Sequence, residues 1–171
     1  SIDVRHYSAP RPADLDHTIP SWRTDKRIAG GGYFYDMASH TLDMLDYLLG
    51  EIETVKGYVK NMRKLYTVED TVSVIFRFKS GVQGIGQWCF VTSEEAEQDV
   101  IRINGTKGYV EFSIFGFTPV ILRSETVSED YTFEQPEFIE QPLIQTVVDE
   151  LRGWGTCPST MASASRTSRI M

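Results

Sequence analysis

The run Gly30-Gly31-Gly32, followed directly by a helical pattern, constrains this chain more than any other stretch. Glycines in a row let the backbone turn tightly or approach a neighbour closely, or their N–H groups form a nest that binds phosphate. Apolar residues then recur with helical period until Gly50, which supplies a stop because glycine tolerates the left-handed conformation that closes a helix. The sequence therefore predicts a glycine-hinged helix that begins after Gly32 and ends at Gly50.

One face of this helix carries polar side chains in a row. At about 100° per residue, four residues fall within roughly 60° of one another and are named here the polar stripe: Asp36, His40, Asp43 and Tyr47. The other side is apolar or small and is expected to meet a core through Met37, Thr41, Leu42, Met44, Leu45, Leu48 and Leu49. The helix is thus predicted to be amphipathic.

The polar stripe allows three interpretations. Asp36 and His40 are one helical turn apart, so their Cβ atoms lie roughly 5–6 Å from each other and the side chains can share a hydrogen bond. A carboxylate beside an imidazole favours the imidazolium and fixes its orientation, which suits acid–base catalysis. The same spacing fits a metal site with Asp43 as the third ligand. Alternatively, the stripe is only the solvated side of the helix.

Composition places the chain among globular proteins. It has 171 residues, of which 41% are hydrophobic, enough for one domain with a core. A net charge of −7 argues against nucleic acid or an anionic membrane as a partner, since both need a basic surface. Cys89 and Cys157 lack metal-ligand spacing and are expected to be reduced thiols, typical of a cytoplasmic protein. No membrane span or signal peptide is visible, although Ser1 is not an initiator methionine.

After Gly50 the hydrophobic period changes from helical spacing to two. Short connections between about seven alternating segments favour an antiparallel or mixed sheet with helices on one face. The strand candidates are residues 2–7, 52–62, 71–78, 82–92, 100–103, 109–112, 119–122 and 131–133. Helical spacing returns from Pro142 to Arg152, with Gly153 as the stop, and Ser159 or Thr160 can cap a last short helix.

Other features carry less information. The segment with Pro10, Pro12 and Pro20 is expected to be irregular. His6 and His17 do not belong to a catalytic or metal-binding motif in the sequence and are interpreted as structural or surface residues. Trp22 is interpreted as a hydrophobic plug or the wall of a pocket. The stretch from Gly81 to Gly86 lacks the Gly-x-Gly-x-x-Gly order and lies in a strand pattern, so it is not a dinucleotide fingerprint.

Several motifs stand in the order in which one known family has them. They are Trp22-Arg23, Gly30-Gly31-Gly32 with Asp36-x-x-x-His40-x-x-Asp43, Leu48-Leu49-Gly50, Glu69-Asp70-Thr71-Val72, Ile103 to Gly108, Leu143 to Gly153 and Cys157-Pro158-Ser159-Thr160. The ordered set resembles the second domain of the glucose–fructose oxidoreductase / inositol dehydrogenase / rhizopine-catabolism (Gfo/Idh/MocA) family, over nearly the whole chain.

The resemblance implies an NAD(P)-dependent oxidoreductase of two domains that acts on a sugar or polyol. A Rossmann domain, absent from this chain, would bind NAD or NADP, and residues 1–171 would form a single α+β domain for substrate binding and homo-oligomer contacts. The implied fold is a large, predominantly antiparallel open sheet with helices on one face, similar to the C-terminal domain of dihydrodipicolinate reductase. Such a chain is expected to be folded but inactive by itself.

The resemblance also implies roles for individual residues. His40 would exchange a proton with the substrate hydroxyl or carbonyl, and Asp36 would bind substrate and orient His40. Further substrate-binding candidates are Trp22, Arg23, Tyr35 and Asp43, and no metal ligand or cofactor-binding residue is assigned. The family's Glu-Lys-Pro lysine has no counterpart here, which fits an absent first domain. Ala38-Ser39 stands where many members have a glycine and a small apolar residue, a departure that bears on substrate choice.

Two alternatives belong to other functional classes. In one, the chain is a non-catalytic dimerisation or binding module whose polar stripe is solvated surface. In the other, the full protein is an NAD-dependent glycoside hydrolase built on the same scaffold.

Overall fold

The structure is a computed structural model that describes residues 1–16, 18 and 21–171. The strands within these residues are β1 (Ile2–Tyr7), β2 (Ile52–Lys60), β3 (Thr71–Phe78), β4 (Gln83–Cys89), β5 (Gln98–Asn104), β6 (Gly108–Phe112), β7 (Val120–Ser124) and β8 (Ser128–Tyr131). The helices are α1 (Pro12–Leu15), α2 (Lys26–Ala29), α3 (Tyr33–Leu49), α4 (Gln141–Leu151) and α5 (Met161–Ile170), with 3₁₀ turns at Trp22–Thr24 and Glu94–Ala96.

All eight described strands form one open sheet in the order β2-β3-β4-β1-β5-β6-β7-β8. Each neighbouring pair is antiparallel except β1 and β4, which are parallel. The predicted α+β class and mostly antiparallel open sheet are therefore confirmed. Each of the eight candidate segments matches one strand of the described residues, one more than the count of about seven. The last strand is Ser128–Tyr131 and not residues 131–133.

The core lies between one face of the sheet and α3. Side chains alternate along β3 and β4, so that Phe76, Phe78 and Trp88 are buried. Glycines in β4 make room for these rings: a Cβ at Gly84 would collide with the Phe76 ring, and one at Gly86 would lie 2.5 Å from the Trp88 ring. The glycines from 84 to 86 therefore serve aromatic packing within a strand.

Helix α3 runs from Tyr33 to Leu49 and contains neither glycine nor proline. It ends at Gly50, whose φ of +86° lies in the left-handed region, as predicted. The predicted apolar side is wrong at Met44 and Leu48, which are exposed. Asp46 is buried instead, because α5 packs beside α3 and supplies a charged partner for it.

The C-terminal part contains the two other predicted helices. In α5 the Thr160 side chain accepts a hydrogen bond from the N–H of Ser163, which confirms the predicted cap. Helix α4 ends before Gly153, which has a φ of +73°. None of the described helices is long and apolar enough to cross a membrane.

The segment between β1 and α3 is more ordered than its prolines suggested. Pro12 begins the short helix α1, where a missing N–H carries no penalty. His6 is buried in β1, in agreement with a structural role, whereas His17 and Pro20 lie outside the described residues.

Candidate active site

The glycine run holds α3 close to the chain segment that leads into β3. Gly32 is the N-cap of α3, and its N–H donates a 2.6 Å hydrogen bond to Oε1 of Glu69. A Cβ at Gly32 would lie 2.5 Å from the Glu69 carbonyl oxygen, so only glycine fits there. A carboxylate of the protein therefore occupies the position that a phosphate nest would offer to a ligand. The run is explained by a tight turn and close approach.

The polar stripe lies on the more accessible side of α3. His40 and Tyr47 are exposed, and Asp36 and Asp43 are partly buried. Most buried side chains of the helix lie on the opposite side: Phe34, Ala38, Thr41, Leu42 and Leu45. The predicted placement of the stripe is confirmed, whereas the roles of its residues stay predictions.

Asp36 pairs with Arg23. Nε of Arg23 donates a 2.7 Å hydrogen bond to Oδ2 of Asp36, and both side chains are about one third exposed. In the part of the chain that the structure describes, Asp36 and His40 do not share the hydrogen bond that their spacing allows. The pairing ties the start of α3 to the 3₁₀ turn at Trp22–Thr24.

Trp22 and Tyr35 flank this pair. The Arg23 guanidinium lies 4.3 Å from the centroid of the Trp22 ring, a cation–π contact. Trp22 is 51% exposed, so it is not a buried plug. Tyr35 is also exposed; its ring covers Gly31 and stands edge-on to Phe34 at 6.3 Å between centroids. Two aromatic surfaces thus lie beside an accessible carboxylate.

A cleft of about 890 Å³ opens along the C-terminal part of the polar stripe. Its walls include His40, Asp43 and Tyr47 of α3, the end of β6, the loop before α5, and α5 itself. The volume lies within the range of small-molecule sites, about 300–1,000 Å³. Asp36, Arg23, Trp22 and Tyr35 do not line this cleft, so His40 is the predicted catalytic residue that does.

Asp43 is shared between the cleft and the packing of two helices. Oγ1 of Thr167 in α5 lies 3.4 Å from Oδ1 of Asp43. One turn further, Asp46 binds Arg166 through two hydrogen bonds of 2.8 Å. Pairing with Asp46 raises the pKa of Arg166. These contacts fix the wall of the cleft that α5 provides.

Another cavity, of about 470 Å³, is lined by residues of the segment before α3 and of the loop between β2 and β3, and none of the predicted site residues lines it. Asp14 lies on its wall and accepts a 2.8 Å hydrogen bond from the Tyr33 hydroxyl. Burial raises the pKa values of Tyr33 and Tyr66. Both phenols therefore stay neutral at ordinary pH.

Sequence reasoning missed Phe115. Its ring stands edge-on to the His40 imidazole, with 5.7 Å between centroids and an interplanar angle of 89°. Phe115 lies in the loop between β6 and β7, where no periodic pattern applies. The only signal in the sequence was two phenylalanines around a glycine, Phe115-Gly116-Phe117, directly after a strand.

The described residues do not bring three or more His, Cys, Asp or Glu side chains together in a way that could hold a metal ion. Asp36 is bound to Arg23, and Asp43 approaches Thr167 of α5. The arrangement instead suits hydrogen bonding and proton transfer at an accessible imidazole.

Two curated proteins are similar in sequence. Oxidoreductase P35 of Formosa agariphila is 32% identical over 154 residues, which cover 90% of this chain and 46% of that protein. Levoglucosan dehydrogenase of Pseudarthrobacter phenanthrenivorans is 29% identical over 119 residues, which cover 56% of this chain and 28% of that protein. The chain thus spans less than half the length of either relative.

Solved structures share the fold. A levoglucosan dehydrogenase in complex with NADH and levoglucosan superposes with a TM-score of 0.81 at 18% identity, covering 99% of this chain and 53% of that chain. Aldose-aldose oxidoreductase from Caulobacter crescentus, complexed with glycerol, has a TM-score of 0.80 at 18% identity, covering 99% and 50%. At such identity the likeness concerns the fold alone.

The family model for the GFO/IDH/MocA C-terminal domain matches residues 3–111. The matched range begins in β1, contains α3 with its polar stripe, and ends in β6. Because it covers well over half of the chain, this chain belongs to the GFO/IDH/MocA C-terminal domain family.

Proposed function

We propose that this chain is the substrate-binding and oligomerisation domain of an NAD(P)-dependent oxidoreductase that acts on a sugar or polyol. The family supports an oxidoreductase, and the relatives whose names include levoglucosan dehydrogenase support a sugar as substrate. The observation that carries the proposal is the position of His40, an exposed imidazole at the wall of a cleft that is large enough for a sugar.

The residues of this chain do not fit a nicotinamide dinucleotide. Dinucleotide sites use a glycine-rich turn between a strand and a helix, whose N-terminus meets the pyrophosphate. The glycines from 84 to 86 lie inside β4 and pack against aromatic rings, and the N–H of Gly32 is bound by Glu69. We therefore assign the cofactor to a part of the protein outside this chain and derive no step through it.

The contribution of this chain is to bind the sugar and to move its proton. When an alcohol is oxidised, a ring nitrogen of His40 accepts the hydroxyl proton; in the reverse direction it returns that proton to the carbonyl oxygen. Asp36, one helical turn before His40 and outside the cleft, accepts hydrogen bonds from hydroxyls of a substrate that extends past His40, and it is held in place by Arg23. Trp22 and Tyr35 offer exposed aromatic faces for the apolar side of a sugar ring.

The test uses the intact protein to which this chain belongs. It is mixed with NAD⁺ or NADP⁺ and with levoglucosan, D-glucose or glycerol as probes, and formation of the reduced cofactor is followed by fluorescence. We expect reduction that depends on the sugar or polyol and on one of the cofactors. Absence of such reduction across anhydrosugars, aldoses and polyols would contradict the proposal, and release of an aglycone from a glycoside would instead favour the hydrolase alternative.

A separate measurement tests the assignment of domains. Fluorescence titration of the 171-residue chain with NADH or NADPH is expected to give no saturable binding. Tight binding by this chain alone would overturn the assignment of the cofactor to another domain.

Oligomer contacts through the sheet are supported by its outer face, opposite α3. Ile75 of β3 and Ile85 of β4 are register partners there and are 60% and 53% exposed. Ile75→Glu or Ile85→Glu is therefore expected to lower the molar mass of the intact protein in analytical ultracentrifugation, since a charge would be buried in the contact. Ile28→Glu, at an exposed isoleucine of α2, is the matched control. An unchanged mass in both sheet variants, or a monomeric wild type, would contradict this proposal.

A further inference from the structure

The Phe115 ring lies between two imidazoles. Besides the contact with His40, it packs against His6 with 5.3 Å between centroids and an interplanar angle of 67°. Edge-to-face aromatic contacts of this kind are attractive and directional. Phe115 therefore borders one side of the His40 imidazole and limits the orientations that it can adopt.

The loop that carries Phe115 has no regular structure, so side-chain contacts determine its position. The backbone N–H groups of Phe115 and Gly116 donate hydrogen bonds of 2.6 Å and 2.9 Å to Oδ2 of Asp99. A second contact closes the loop: the N–H and the hydroxyl of Thr118 bind Oγ of Ser113 at 3.1 Å and 2.9 Å. Asp99 is thus the anchor at the Phe115 end of the loop.

Asp99 is itself held on the central strands. His6 of β1 and Asp99 of β5 are register partners, and Nδ1 of His6 lies 3.7 Å from Oδ1 of Asp99, an ion-pair distance. Burial alone would raise the pKa of Asp99, but the contacts with His6 and with the backbone N–H groups of Phe115 and Gly116 outweigh it and lower the pKa. The carboxylate is therefore charged at neutral pH, which strengthens its hydrogen bonds to the loop.

We propose that Asp99 is a positioning residue for His40, acting through the loop of residues 113–118 and the ring of Phe115. Oδ2 fixes the loop backbone, the backbone places Phe115, and Phe115 confines the imidazole to the orientation that meets the substrate proton. Small misplacements of a catalytic group are costly, on the order of 10²-fold in rate for 1 Å. The proposal rests on the proposed role of His40 in proton transfer.

The test separates placement from turnover. In the intact protein, the His40 Cε1–H resonance is recorded by NMR after ¹³C labelling of histidine, with assignment from a His40→Ala sample. Phe115→Leu is expected to shift this resonance by removing the ring current. Asp99→Ala is expected to shift it in the same direction and to lower kcat by about tenfold or more, with KM for NAD⁺ or NADP⁺ unchanged.

Matched variants distinguish an anchor from a general structural effect. Asp99→Asn keeps an oxygen that can accept both N–H groups, so it is expected to retain most of the wild-type His40 shift. Asp3→Ala, an aspartate on the opposite face of the neighbouring strand β1, is expected to leave the shift unchanged. If the Asp99→Ala protein does not fold, the Asp99→Ser protein is used instead. The serine side chain is too short for its hydroxyl to reach the loop.

Two results would overturn the proposal. In the first, Phe115→Leu does not shift the His40 resonance. In the second, Phe115→Leu shifts the resonance but a folded Asp99→Ala or Asp99→Ser protein does not. The proposed function is contradicted by a different result, which is normal turnover in the His40→Ala protein. The two failures are therefore distinguishable.

Discussion

The two ends of α3 each carry an aspartate paired with an arginine, but the pairs are built differently. Asp46 near the C-terminal end uses both carboxylate oxygens to bind Arg166, and its side chain is 7% exposed. Asp36 near the N-terminal end uses one oxygen to bind Arg23, and its side chain is 31% exposed. The same two residue types thus form a buried link between helices at one end and an accessible carboxylate at the other.

The two pairs differ in how accessible the carboxylate is to a ligand. Removing one partner from a buried, doubly bonded pair leaves an uncompensated charge, so such a pair is kept intact. An exposed pair with a single hydrogen bond contributes little to stability because water solvates both charges. Asp36 can therefore change partners when a ligand arrives, whereas Asp46 is committed to the packing of α5 on α3.

The largest loss of activity is expected from the N-terminal half of α3, where His40 lies one turn after Asp36. His40→Ala in the intact protein is expected to lower turnover by about 10²–10⁴-fold, the usual contribution of a general acid–base group. Asp36→Asn is expected to lower turnover as well. Leu48→Ala, at an exposed residue of α3 that does not line the cleft, is the control and is expected to stay active. Near-normal rates for both His40→Ala and Asp36→Asn would make the stripe a solvated surface.

The second prediction concerns stability at the other end. Asp46→Ala is expected to lower the free energy of unfolding by about 2–3 kcal/mol, less than the roughly 3–5 kcal/mol for a fully buried pair, because Arg166 keeps partial hydration. Arg166 is 35% exposed in the pair. Urea denaturation measures the loss, with Asp36→Ala as the control that loses much less. Equal losses at both positions would show that the two pairs do not differ.

The smallest expected effect is that of Arg23→Ala on stability. Since Arg23 and Asp36 are both about one third exposed, removing the arginine should change the free energy of unfolding by less than about 1 kcal/mol. The same variant is expected to raise KM for the sugar, because Asp36 loses the group that orients it. A large decrease in the free energy of unfolding in urea, with an unchanged KM for the sugar, would show that Arg23 stabilises the fold and does not orient Asp36.

Sequence patterns over short stretches predicted the secondary-structure elements and the faces of α3. Helical periodicity placed Asp36, His40 and Asp43 on one face of α3, and Gly50 marked its end. Alternation found the strands, since one face of the sheet is buried and the other is not. The parallel pairing of β1 with β4 was not specified, because it joins segments about eighty residues apart.

Contacts between distant segments could not be predicted from such patterns. Helical spacing does not single out Asp46, and Arg166, 120 residues later, explains why it is buried. The ring of Phe115 lies against His40 in an irregular loop whose backbone is hydrogen-bonded to Asp99. In each case the deciding partner lies far along the chain, where neither spacing nor propensity carries information.

The bond between Glu69 and the first turn of α3 has a consequence for the kind of ligand that the protein can accept. The amino end of a helix is a partially positive site that attracts anions. Here the Glu69 carboxylate already accepts a hydrogen bond from the Gly32 N–H at this end. A second anion at the same place would therefore be repelled by the charge of Glu69. An anionic group of any ligand would therefore need a cationic partner elsewhere in the protein.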